Sequence, residues 1–198
     1  MTKITTVRHG ETHWNALKKI QGHTDIELNE VGIAQAEKIA QKFKNEPISI
    51  IYTSDLKRAS KTAHIINQYH NVEVVEIGDL KETSFGEMEG QVFTDIKTAL
   101  FEMRANGGAP KGGETLEALF ARVHPVLDEI ISENHPHALI VGHFGIIRSI
   151  ICYFLKLPPE QAEDYVIGNT AIHYFEKQAD GTFAMIVEND TSHLEEND

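Results

Sequence analysis

The chain has 198 residues, a formal net charge of −12, 41% hydrophobic and 24% charged residues, and one cysteine. This length suits one domain that buries most of its apolar surface without covalent staples, and the acidic balance argues against nucleic acid or an acidic membrane face as partner. Cys152 alone excludes an internal disulfide and fits a reducing, cytoplasmic setting.

Met1–Val7 is too short and polar for a signal peptide, and the apolar stretch Ile146–Leu157 is interrupted by Arg148 and Lys156 and is well short of a membrane span. Ile4–Val7 reads as a short strand that ends at Arg8-His9-Gly10. A turn of helix is expected around Trp14–Leu17. Ala36, Ile39, Ala40 and Phe43 recur at helical spacing, which predicts an amphipathic helix over 30–44. The β-branched run Ser49–Thr53 predicts a second strand. Ser54 is placed to cap the following helix, whose apolar stripe is Leu56, Ala59, Ala63 and Ile66.

Val72–Ile77 predicts a third strand. Residues 78–113 are the least regular part: a loop around Glu82, a helix near Phe93–Met103 and a turn at Asn106-Gly107-Gly108, together a flap over the site. A long helix follows from Leu116 to Ile131, with a kink expected at Pro125. Ala138–Val141 reads as a central strand and Ile147–Phe154 as a mostly buried helix. Ala171–Phe175 and Thr182–Val187 read as a hairpin, and Leu194–Asp198 as a mobile acidic tail. Alternating strands and helices predict a single α/β domain over 1–198, a three-layer αβα sandwich on a mainly parallel sheet.

Ligands of open α/β sheets sit at the carboxyl ends of strands. Here the strand ends carry Arg8 and His9, Arg58, Glu82, and His143. A neutral imidazole is a good nucleophile towards phosphorus, and two guanidinium forks match phosphate oxygens. The transferring group spreads negative charge that fixed cations stabilise, while a carboxylic acid can protonate the leaving oxygen. Two arginines, two histidines and one carboxylate therefore suit phosphoryl transfer.

The motif Arg8-His9-Gly10-Glu11-Thr12 after a strand resembles the signature of the histidine phosphatase superfamily, the branch that includes cofactor-dependent phosphoglycerate mutases. Asn15, Gln21-Gly22-His23-Thr24-Asp25, Ser54-Asp55-Leu56-Lys57-Arg58-Ala59, Leu80-Lys81-Glu82, Gly113-Glu114-Thr115 and Val141-Gly142-His143 resemble further segments of that family in the same order. The likeness is greatest to small bacterial phosphatases such as α-ribazole or broad-specificity phosphatases. It implies a phosphoglycerate mutase-like fold, His9 as phosphorylated nucleophile and Glu82 as proton donor. Arg8, Arg58 and His143 would bind phosphate, and Asn15, Gln21 and Gly22 would line the pocket. Relatives usually carry glycine directly after the second histidine, whereas this chain has Phe144 there, then Gly145. Phe144 retains a backbone N–H for phosphate and adds a ring that can restrict substrates.

Glu87 and Glu89 are rival acids to Glu82. Glu11 reads as a hydrogen-bond organiser, Arg148 as a structural ion pair and Cys152 as core packing. Trp14, Phe85, Met88 and Phe144 form either an aromatic rim or ordinary packing. His9 and His13 have the spacing of a zinc helix, but Gly10 stands where that motif needs glutamate, so no metal and no other cofactor is expected. The short span from Glu82 to Gly113 favours hydrolysis of a small phosphorylated metabolite over mutase chemistry. A non-catalytic phosphate binder is a further alternative. The oligomeric state is open, with a homodimer as one option. From the negative total charge, association with anionic substrates is expected to be slow at low salt.

Overall fold

The β-branched run Ile-Thr-Thr-Val builds the first strand of a six-stranded sheet, described by a computed structural model over residues 3–195. The strands are β1 (Lys3–Arg8), β2 (Ile50–Thr53), β3 (Val74–Glu76), β4 (His137–Gly142), β5 (Ile172–Lys177) and β6 (Phe183–Asp190). Their spatial order is β3-β2-β4-β1-β5-β6. The first four in that order run parallel; β5 is antiparallel to β1, and β6 to β5. Six helices accompany them: α1 (His13–Ala16), α2 (Glu30–Phe43), α3 (Lys57–Asn67), α4 (Phe93–Ala105), α5 (Leu116–Ser132) and α6 (Phe144–Leu155).

Alternation along β4 shows how the layers arise. Ala138 and Ile140 face a core with α5 and α6, whereas Leu139 and Val141 face one with α2 and α3. A strand buried on both faces needs apolar residues at every position, which is why this segment reads as an unbroken apolar run. The result is an αβα sandwich. Register Arg8↔Gly142 places the ends of β1 and β4 side by side, so His9 and His143 leave the sheet as neighbours.

Several expectations need correction. Ser54 does not cap α3: Leu56 holds that position without a side-chain cap, and Ser54 Oγ instead accepts the Leu56 N–H at 3.2 Å. β3 is shorter than Val72–Ile77, because the Asn67 side chain takes both the N–H and the carbonyl of Val72 (3.0 and 2.9 Å) and keeps that residue out of the ladder. Pro125 lies inside α5, as expected. Within 78–113, α4 is preceded by short 3-10 turns at Gly78–Leu80 and Gly86–Met88, and isolated bridges Phe85↔Gly113 and Lys19↔Val92 fasten the segment at its base. The expected tail lies partly outside the described residues: Leu194 and Glu195 are described, the last three are not.

Candidate active site

His9 follows directly on β1 and is buried. Its Nδ1 lies 2.6 Å from the carbonyl oxygen of Gly10. A carbonyl only accepts, so Nδ1 carries the hydrogen and the lone pair resides on Nε2. Burial pushes the imidazole pKa well below its ordinary value, and the positive charges of Arg58 and Arg8 push it the same way. The ring is therefore a neutral base with one defined nucleophilic nitrogen.

Cations with unmet donors surround it. Arg58, on the first turn of α3, is fully buried; Nη1 donates to Thr24 O (3.0 Å) and Nη2 to Gly22 O (2.8 Å), while Nε has no partner. Arg8 Nη1 donates to Ile167 O at 2.7 Å, and its enclosed Nε is likewise unpartnered. Burial lowers the Arg8 pKa to about 10, with Glu82 opposing that shift. His143, the N-cap of α6, is fully buried with neither ring nitrogen bonded, and its ring centroid lies 5.2 Å from that of His9. Buried donors without acceptors cost about 1–3 kcal/mol each, so their concentration around one imidazole describes a cradle shaped for an anion.

Glu82 enters from the loop after β3. Its Oε1 accepts the N–H of Thr83 (2.8 Å) and of Gly145 (3.0 Å). A Cβ on Gly145 would stand 2.7 Å from Glu82 Oε1 and 2.5 Å from Thr83 Oγ1, so glycine is required for this approach. The rivals are differently employed. Glu87 pairs with Lys111 at 2.7 Å near the surface. Burial raises the Glu89 pKa, but hydrogen bonds from Thr24 Oγ1 and the N–H of His23, Phe85 and Thr24 outweigh it and hold the carboxyl below its ordinary value. Glu89 thus ties Gln21-Gly22-His23-Thr24 to the flap, and Gly22 (φ +52°) takes a left-handed turn there that favours glycine. Glu11 Oε1 accepts from Asn29 Nδ2 at 2.7 Å, the organising role expected of it.

Two supports are absent from the motif reading. Arg122 grips Glu114 with Nε and Nη2 (2.9 and 2.6 Å), and also donates to the carbonyls of Glu82 (3.0 Å) and Asp79 (2.7 Å). Asn169 Nδ2 donates to His9 O at 3.0 Å. The pairing of Glu114, just before α5, with an arginine eight residues later on that helix is the signal that could have found the first.

A cavity of about 500 Å³ opens over these residues and is lined by Arg8, His9, Asn15, Gln21, Gly22, Arg58, Glu82 and Phe144 among others. His143 is not in its wall but lies against His9. Asn15 and Gln21 share Thr12 as a partner: Thr12 Oγ1 lies 3.0 Å from both Asn15 Oδ1 and Gln21 Oε1, its single hydrogen serving one of them at a time, which leaves their amide NH₂ groups for a ligand. Phe85 and Phe144 line the cavity, whereas Trp14 and Met88 do not. Arg148 is not a side-chain ion pair as expected: it donates to the carbonyls of Tyr165 (2.8 Å) and Glu163 (3.0 Å), and it too faces the cavity. Seven cationic side chains line this cavity against two carboxylates, so the local field opposes the chain's charge of −12 and argues against slow anion association.

Comparison with known proteins bears on this constellation. Residues 4–191 match the model of the histidine phosphatase superfamily, branch 1. The chain belongs to that superfamily. It is 37% identical over 204 residues to phosphoglycerate mutase-like protein 4 of Arabidopsis thaliana, covering 98% of this chain and 87% of the relative. A metal-independent phosphoserine phosphatase of the same plant is 37% identical over 160 residues, covering 76% and 67%. The crystal structure of phosphoserine phosphatase from Entamoeba histolytica, in complex with 3-phosphoglyceric acid, superposes with a TM-score of 0.86 at 34% identity, covering 98% of this chain and all of the other. The sandwich is thus the phosphoglycerate mutase-like fold. As a histidine phosphatase, the chain is a hydrolase of small phosphorylated compounds. Among the described residues no group of three or more His, Cys, Asp or Glu side chains is placed to hold a metal ion, and no helix is long and apolar enough to cross a membrane.

Proposed function

We propose that the protein is a metal-independent phosphomonoesterase that works through a phosphohistidine on His9. The substrate phosphate enters the cradle of Arg8, Arg58 and His143. His9 Nε2 attacks phosphorus in line, the ester P–O bond breaks, and Glu82 delivers a proton to the leaving oxygen. The alcohol departs. Glu82, now a carboxylate, takes a proton from water; the oxygen of that water attacks phosphorus, the N–P bond breaks, and inorganic phosphate leaves with His9 neutral again. The observation that carries this reading is the Nδ1–H bond to Gly10 O on a neutral ring ringed by unpartnered cationic donors. The domain acts as one unit in this reading, with the segment from 78 to 113 as its flap.

Phosphatase chemistry also draws support from relatives named as phosphoserine phosphatases. Phosphoserine is accordingly one metabolite to test first. His9→Ala should abolish turnover of an aryl phosphate in the presence of chelator, a loss of at least about 10⁴-fold on the scale of removed nucleophiles. Glu82→Gln should keep KM within a few-fold and slow the first step about 10²–10⁴-fold, most for poor leaving groups. Activity in His9→Ala equal to wild type refutes the mechanism.

A further inference from the structure

A second cationic group stands in the same cavity, apart from the residues assigned to the phosphate. Arg104 on α4 has a side chain only 15% exposed, yet it donates no hydrogen bond among the described residues. Its nearest carboxylate, Glu163 Oε1, is 3.8 Å away, beyond hydrogen-bond range. Its guanidinium carbon lies 5.3 Å from the Phe85 ring centroid. Arg148 on α6 is 4.1 Å from the centroid of Phe144, whose ring also holds Arg8 at 5.4 Å. Phe144 therefore links the phosphate end of the cavity to the second pair of arginines. Burial lowers the pKa of Arg104 and of Arg148, and each has Glu163 as the leading charge that opposes the shift.

A guanidinium mostly screened from solvent that makes only a long contact to a carboxylate keeps donors available for a ligand's anion. One carboxylate between two arginines leaves the pair under-neutralised. The cavity that holds them and His9 also has apolar lining, including Leu100, Leu119, Phe120 and Phe144. A volume of about 500 Å³ exceeds what a phosphate group needs and suits a ligand with a body of its own. We infer that Arg104 and Arg148 form a second anion subsite, so that the preferred substrate is a phosphomonoester carrying a further anionic group on an apolar or aromatic body. Glu163 is then the internal competitor that the ligand's anion displaces from Arg104. This inference rests on the phosphatase reading of the same cavity and adds the class of substrate.

The test compares kcat/KM for phenyl phosphate with that for its para-carboxymethyl and para-carboxyethyl analogues. A charge-assisted contact to a desolvated arginine should favour at least one carboxylate analogue by about tenfold or more. Arg104→Gln should bring that ratio close to one. Glu163→Gln, which removes the competitor and keeps the backbone carbonyl that Arg148 uses, should raise it; this variant carries the test if Arg104→Gln does not fold. A ratio near one for both analogues in wild type overturns the subsite, and so does a ratio that survives Arg104→Gln while the melting temperature falls, the outcome of a purely structural tie. An unchanged or lower ratio in Glu163→Gln overturns it as well. Failure of the underlying reading looks different: wild type releases no phosphate from any of the three esters, or His9→Ala releases it as fast, and the subsite falls with it.

Discussion

At the scale of single residues, the bond from His9 Nδ1 to Gly10 O selects the tautomer, and burial among cations keeps the ring neutral. Two other buried histidines, His173 and His137, lie outside the site. His173 on β5 is fully buried with both nitrogens unpartnered, and burial lowers its pKa to about 4; His137 is lowered to about 4 by burial, with Lys3 adding to it. An unfolded histidine takes up its proton near pH 6.5, while these refuse it until about 4. Their contribution to stability is therefore complete above pH 6.5 and is lost as pH falls towards 4. Melting temperature should drop through that window, and His173→Phe should make the drop shallower without loss at pH 7, because an apolar ring replaces two unsatisfied nitrogens. Scanning calorimetry across the window checks this; an equally steep drop in the variant contradicts it. From sequence, His9 and His143 were legible through their motifs, whereas nothing local distinguishes His173 from a surface histidine. Its burial comes from pairing with β1, a long-range event.

At the scale of elements, Glu82, the acid of the proposed mechanism, depends on two supports that meet from opposite sides. The N-terminus of α6 offers the Gly145 N–H to Glu82 Oε1, and α5 holds the backbone of the same loop through Arg122. Gly145→Ala should push the carboxylate away and lower kcat by about 100-fold, the scale of a roughly 1 Å misplacement, with little change in KM or melting temperature. Steady-state kinetics beside thermal melts check it; an unchanged kcat shows that Glu82 acts from another position. Gly145, directly after Phe144, is the residue that admits Glu82. All six strands were readable from their β-branched and apolar runs, although β3 and β6 bury no residue fully. The cap of α3 and the end of β3 were not, because they turn on side-chain bonds of Ser54 and Asn67 that periodicity does not encode.

At the scale of the whole molecule, seven of the 18 lysines and arginines line one cavity in a chain of net charge −12. Such a focused field draws anions in against the global repulsion. The value of kcat/KM for an anionic phosphate ester should therefore fall severalfold as ionic strength rises from about 0.01 to about 0.15 M, over which the Debye length shrinks from about 30 to about 8 Å. A rise over that range means that the net charge dominates. Composition alone pointed to the opposite sign, because a count of charges carries no information about where the fold gathers them. The account as a whole depends on one covalent bond. Rapid quench of the enzyme with a fast-leaving aryl phosphate, followed by peptide mapping under alkaline conditions that spare phosphohistidine, should find one phosphoryl group on the peptide bearing His9 and none in His9→Ala. A turnover-competent enzyme that accumulates no such adduct while water attack is rate-limiting, or that carries the phosphoryl group on another residue, contradicts it.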